Sequence, residues 1–344
     1  LIKLLVSKLD FSVVAFECGA VEARLVDAYV KTGVGDPVAL VRKLGTDPFK
    51  TEEVVAFVRW MRAHNADRRN VKKLSFVGFD ETSWTSAAWL RDYLAKAKHD
   101  DADATAALTR LASVQADSTY PALERTVHEQ TRVALQSIKA WLVGERPALL
   151  KANGEAAWLE ALDHSERLLR LERSFLDPTL RDGQMADEVG RIREAHKGER
   201  TVLWLHNAHG SAWARAFVYM GARLREQHGS DYLSVGLTFG QGTFRALTRG
   251  NLDAGPVEQR VKGPAPQSLE AALVLASPAL FAIDLRRTKG DLRRWLEAPT
   301  AVTEIGFLFG GEESARHWTV PVRAYDLVVH VDDTHAAVGL GKKR

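Results

Sequence analysis

Four apolar runs along the chain each break off at ionisable residues. Val13-Val14-Ala15-Phe16 ends in Glu17-Cys18-Gly19, and Leu74-Ser75-Phe76-Val77-Gly78-Phe79 ends in Asp80. Val202-Leu203-Trp204-Leu205 ends in His206-Asn207-Ala208-His209-Gly210, and Leu280-Phe281-Ala282-Ile283 ends in Asp284. Short continuous runs of this kind predict buried parallel strands. Between the first two lie an amphipathic helix over Glu22–Lys31, a turn at Gly33–Pro37, and a helix over Thr51–Asn65 with Thr51 as its N-cap. From about Trp84 to His196 strand signals cease. That stretch is rich in Ala, Leu, Glu and Arg, with apolar residues at helical spacing, until Asp177-Pro178 interrupts it. Strands are expected again at 201–205, 232–238, 279–284 and 326–331, with Gly/Pro-rich loops at 240–243 and 262–267. The pattern predicts an α/β fold with a mainly parallel central sheet flanked by helices. Residues 1–83 and 197–344 form the two parts of that core, and 84–196 form a helical insertion roofing its cleft.

In open α/β sheets, binding and catalytic groups gather at the carboxyl ends of the strands. If the four strands lie side by side, Glu17, Asp80, the two histidines and Asp284 share one rim, which is the candidate active site. Each has a plainer reading. Asp80 and Asp284 suit the N-cap of a following helix, Glu17 suits an ion pair with a nearby Arg, and a lone His suits the core. Two histidines at a strand-to-loop junction point further towards chemistry, because an imidazole titrates near neutrality. Their spacing does not match the helical zinc signature. No Gly-x-Ser-x-Gly elbow occurs, which disfavours a serine nucleophile. Gly240-Gln241-Gly242 lacks the further glycine of a dinucleotide fingerprint, and no Gly-Lys-Ser/Thr loop exists.

Composition changes this picture little. At 344 residues the chain can bury a large core, and 47 basic against 44 acidic residues are too even to suggest nucleic acid as partner. The basic tail Lys342-Lys343-Arg344 reads as a frayed end. The single cysteine, Cys18, excludes an internal disulfide framework and reads as a small buried residue, although its place beside Glu17 leaves a nucleophile conceivable. No apolar stretch approaches the ~20 residues of a membrane-spanning helix. The compartment and the oligomeric state stay open. Trp84 and Trp89 follow the Asp80 strand and suit either core packing or the floor of an apolar pocket.

Several segments, taken in order, resemble the erythromycin esterase family over nearly the whole chain. They are Val14-Ala15-Phe16-Glu17-Cys18-Gly19, Glu53–Arg62 with Asn65, Val77-Gly78-Phe79-Asp80, Arg181-Asp182-Gly183-Gln184-Met185-Ala186, His206–Gly210, and Met220–Leu224 with Asp231-Tyr232 and Gly236. The resemblance implies a hydrolase that directs water onto a small-molecule ester or macrolactone, with macrolide inactivation as one outcome. It places Glu17, His206 and His209 in the catalytic cluster. Arg181, with Asp80, is assigned to substrate binding; a helix-end salt bridge is the alternative for Arg181. The family also carries an earlier Gly-Glu-x-x-His block supplying another Glu and the His usually taken as general base. It is expected shortly before Leu1, and Leu1–Val6 looks like the helix that follows it. A trimmed chain is the expectation, and a relative without that base the alternative. The chain as given is then expected to open macrolide lactones poorly, and a version extended through that block to be active. No cofactor is expected. Two alternatives remain: the same His/Glu cluster holding a divalent metal such as Zn or Mn, and a catalytically inactive binding relative.

Overall fold

The computed structural model describes residues 1–45, 47–81, 84–114, 124–214, 218–276 and 278–341. The basic tail lies outside the described residues.

The first part runs α1 (Ile2–Leu9), β1 (Phe11–Gly19), α2 (Ala20–Thr32), α3 (Pro37–Lys43), α4 (Glu52–Ala66) and β2 (Ser75–Asp80). β1 is buried from Ser12 to Phe16 because helices cover both its faces. Val14 and Phe16 pack with Val26 of α2 and Val58 of α4, while Val13 and Ala15 pack with Met185, Val189 and Met220 on the other side. This explains a run without alternation. Helix boundaries follow local chemistry. Gly33 closes α2 in the left-handed region at φ 81°, Asp36 caps α3, and the Thr51 hydroxyl accepts the Val54 N–H at 3.3 Å to open α4.

Among the described residues six α-helices follow: α5 (Thr85–Lys96), α6 (Ala102–Ser113), α7 (Arg125–Gly144), α8 (Arg146–Asn153), α9 (Glu155–Leu176) and α10 (Arg181–Ala195). No strand occurs among the described residues of this stretch. Helices α5 to α9 share one apolar core containing Leu90, Leu108, Leu135, Ile138 and Leu168. Trp84 stacks on Phe175 at 5.4 Å and Trp89 on His164 at 4.4 Å, both as packing within this layer. Buried Arg167 of α9 joins the layer to its surroundings, reaching Glu81 after β2 (2.5 Å), Glu188 of α10 (2.9 Å) and Asp163 (2.9 Å). Asp163 in turn meets Arg24 of α2 at 2.5 Å.

The chain then enters β3 (Arg200–Trp204), α11 (Asn207–Gly210), α12 (Met220–His228), β4 (Val235–Thr248), β5 (Val257–Val261), α13 (Leu269–Leu273), β6 (Leu280–Asp284), β7 (Thr300–Thr303), β8 (Leu308–Phe309), β9 (Arg316–Thr319) and β10 (Leu327–Thr334). Strands β2, β1 and β3 form a parallel three-stranded sheet in that order. A second sheet has the order β5-β4-β10-β6, with β8 added to β4, and β7 pairs with β9. The fold is thus α/β with mixed sheets, and the expectation of one mainly parallel sheet is corrected. β10 runs parallel to β4 but antiparallel to β6, and β5 is antiparallel to β4. The reason lies in the connections: helical crossovers allow parallel pairing in the first sheet, whereas the short Arg249–Pro256 link permits only an antiparallel return. The expected loop at 240–243 is also corrected, because it continues β4. Gly242, at φ 123°, lets β10 approach so closely that a Cβ would fall 2.1 Å from the Thr334 carbonyl oxygen. These glycines serve close strand approach rather than a turn.

Candidate active site

The carboxyl ends of β1, β2 and β3 meet the N-terminus of α10. Between Phe16 and Gly19, β1 spends one residue more than β2, a bulge that re-aims Glu17. Gly78 makes room for it, since a Cβ there would lie 2.6 Å from the Cys18 carbonyl oxygen. Glu17 Oε2 accepts the backbone N–H of His206 at 2.9 Å, and its Oε1 accepts from Arg181 Nη2 at 2.8 Å. Asp80 is 2 % exposed and takes two bonds from the same guanidinium, from Nη2 at 2.5 Å and Nε at 3.2 Å. Arg181 therefore stands between two carboxylates. Burial works against its charge, but Asp80 and then Glu17 outweigh this and raise its pKa.

The remaining guanidinium nitrogen, Nη1, lies 3.1 Å from His209 Nε2. On the opposite edge of that ring, Nδ1 lies 2.8 Å from Asp182 Oδ1, which also accepts the Met220 N–H at 2.8 Å. The Asp182 pKa is lowered: burial opposes ionisation, and the His209 bond and charge overcome it. A carboxylate only accepts, so His209 Nδ1 donates and Nε2 is the proton-exchanging atom. Nε2 sits between a donor, Arg181, and an acceptor, Glu17 Oε1 at 3.6 Å. The His209 pKa is raised because the Asp182 bond and the Glu17 charge exceed the effect of burial.

His206 differs. Its Nδ1 accepts the Ala208 N–H at 3.2 Å, so Nε2 carries the proton and donates to the Ile305 carbonyl at 3.1 Å. Burial lowers its pKa. It is a neutral ring with both nitrogens held by backbone, 6.2 Å from the His209 ring. Asn207 pairs like a strand residue with Leu237 of β4, donating to its carbonyl at 2.6 Å and accepting its N–H at 3.0 Å. The Gly210 carbonyl accepts from Tyr232 and Ser234 hydroxyls at 2.7 and 2.6 Å. The histidine segment therefore sits on the seam between the two sheets.

Glu17, Asp80, Arg181, His206 and His209 are thus brought together. Asp284 is not: it ends β6 in the other sheet, binds the Arg286 N–H at 3.1 Å and its guanidinium, and is the cap of a short 3₁₀ turn. Cys18 is fully buried, and burial, with the charges of Glu22, Asp80 and Glu17, pushes its thiol well up. Such a thiol is a poor nucleophile. Sequence reasoning passed over Asp182, although it is the residue after Arg181. The signal was an Asp–Arg pair opening a helix, which looks like dipole compensation until the fold brings His209 beside it. Among the described residues no group of three or more His, Cys, Asp or Glu is arranged to hold a metal ion, and no helix is long and apolar enough to cross a membrane.

These features define an α/β protein with a carboxylate–guanidinium–imidazole cluster on a parallel rim. The chain belongs to the erythromycin esterase family, whose model matches residues 6–334, and at that level it falls among esterase-type hydrolases. No curated protein matches significantly. Among solved structures it is similar to a succinoglycan biosynthesis protein at 21 % identity, with a TM-score of 0.77, covering 99 % of this chain and 84 % of that one. A Bacillus cereus protein gives 21 %, 0.77, 99 % and 85 %. A histidine-to-asparagine variant of the erythromycin esterase EreC, in its open conformation, gives 20 %, 0.69, 99 % and 87 %. At these identities the likeness is one of fold.

Proposed function

We propose that the cluster hydrolyses a carboxylic ester or lactone, with His209 taking the proton from the attacking water. The carrying observation is the His209 ring held between Asp182 at Nδ1 and the Arg181–Glu17 pair at Nε2. Asp182 fixes the tautomer and favours the imidazolium that forms, as a carboxylate behind a general base does. Arg181 Nη1 is the guanidinium nitrogen not bound to a carboxylate in the contacts above. A substrate carbonyl oxygen that replaces His209 Nε2 at Nη1 gains an oxyanion donor and frees the imidazole in one movement. Asp80 and Glu17 hold the guanidinium in place, and His206 shapes the loop. The reading uses no metal: Arg181 supplies the positive charge between the carboxylates, and both His206 nitrogens are engaged by backbone. Likeness to an erythromycin esterase makes a macrolactone the first substrate to try.

The test is mass-spectrometric detection of water addition to a macrolide and to simple esters. It is run on this chain and on one extended through a Gly-Glu-x-x-His block, with and without chelator. In whichever length is active, His209→Ala and Glu17→Gln are expected to lower turnover roughly 10²–10⁴-fold with folding intact by circular dichroism. Full activity in His209→Ala refutes the assignment, and loss under chelator refutes the metal-free chemistry. If neither length acts on any ester, the cluster is a structural ion-pair network in a binding relative.

A further inference from the structure

A cavity of about 320 Å³ opens between the segment that leads into α4 and strand β4, and none of the cluster residues lines it. Pro48, Phe239, Phe244, Ile305 and Phe307 form its apolar walls, and Asp47, Arg245 and His335 also line it. One residue links it to the histidines, Ile305. That residue lines the cavity, packs like Phe244 against the cluster of Ala246, Phe309 and Ala315, and lends its carbonyl to His206 Nε2 at 3.1 Å. The aromatic wall is organised: the Phe239 and Phe244 rings lie 6.4 Å apart, and Phe244 meets Phe309 edge-on at 5.0 Å. Phe307, which lines the cavity, is 61 % exposed.

We infer that this cavity binds the apolar part of the ester, and that the part held there is a medium-sized acyl or aryl group. The inference rests on the hydrolytic reading above for the word ester, but not for the binding. Two observations set the occupant. The lining is largely aromatic and aliphatic, so burial of apolar surface supplies the affinity. The volume stands at the low end of the roughly 300–1,000 Å³ of small-molecule sites, which a compact group fills. The apolar group held there would place its ester linkage on the His206–His209 side.

The experiment uses two readouts. In the first, KM is compared for 4-nitrophenyl octanoate and 4-nitrophenyl acetate in the wild type, Phe307→Ser and Ala337→Trp, the last filling the cavity from a lining position. The octanoate KM is expected to rise roughly fivefold or more in both variants while acetate turnover stays unchanged. In the second, 1-anilinonaphthalene-8-sulfonate is titrated by fluorescence into the same folded proteins, which needs no turnover. Weaker dye binding in both variants, with unchanged melting, supports the cavity even if no ester is hydrolysed and the hydrolytic reading fails. Unchanged octanoate KM together with unchanged dye affinity in both variants overturns the inference.

Discussion

His209 and Asp182 show how one proton is placed. The imidazole acts as a base only when neutral, and its pKa is raised from the ordinary histidine value. Hydrolysis is therefore expected to rise with pH through a midpoint above that of a free histidine, about 6.5. Asp182→Asn removes the first of the influences that raise it, so the limb should move to lower pH and the maximum rate should fall. A pH profile of kcat/KM in both proteins checks this; an unmoved limb would show that His209 is not the titrating base. A second histidine gives a stability prediction of opposite sign. His164 lies buried between Ser86, 2.9 Å away, and the Trp89 ring, and burial lowers its pKa to about 4. A depressed folded pKa means that the unfolded chain binds the proton more readily. Its contribution is full above about 6.5 and is lost as the pH falls towards 4. Melting temperature measured from pH 7 to 4 should drop less steeply in His164→Gln than in the wild type.

The site depends on how β1 and β2 end. The bulge between Phe16 and Gly19 aims Glu17 at the His206 amide, and Gly78 is what lets β2 pass the displaced carbonyls of Cys18 and Gly19. Gly78→Ala should cost roughly 1–3 kcal/mol of stability by overpacking backbone that has nowhere to move. Activity should fall more than stability does, because the shift is passed directly to Glu17. Urea unfolding beside kcat measurements separates the two, and a neutral Gly78→Ala would refute the close-approach argument. Helix ends were legible here before the structure, since Thr51, Gly33 and Asp177-Pro178 act through their own local chemistry. The glycines of β4 were not, because a glycine allowing strands to approach is indistinguishable in sequence from one making a turn.

Across the fold, the histidine segment belongs to both sheets. It leaves the parallel sheet at β3, joins β4 through Asn207, and is closed from the other side by Ile305. The helical layer is tied to α2 and to the β2 end through Arg167, so a change there reaches Asp80 by way of Glu81. Arg167→Met removes the buried guanidinium shared by Glu81, Glu188 and Asp163 and leaves Glu81 and Glu188 to Arg170, 3.0 and 3.7 Å away, so a loss of up to roughly 3–5 kcal/mol is expected. Calorimetry checks it, with the double variant Arg167→Met/Glu188→Met expected to recover part of the loss.

The sequence by itself determined the strand cores and the helices, because apolar runs, helical periodicity and capping residues act over a few neighbours. It also marked Glu17, Asp80, His206 and His209, since each ends an apolar run that can be read directly. It did not distinguish Asp80 from Asp284: both terminate strands, and only the pairing of β6 with β10 puts Asp284 in another sheet. Nor did it separate the two histidines. His206 is locked by the carbonyl of Ile305 and His209 is paired with Asp182, contacts between residues 99 and 27 positions apart. Strand pairing and proton placement are settled by such long-range contacts, and for these the tertiary structure alone decided.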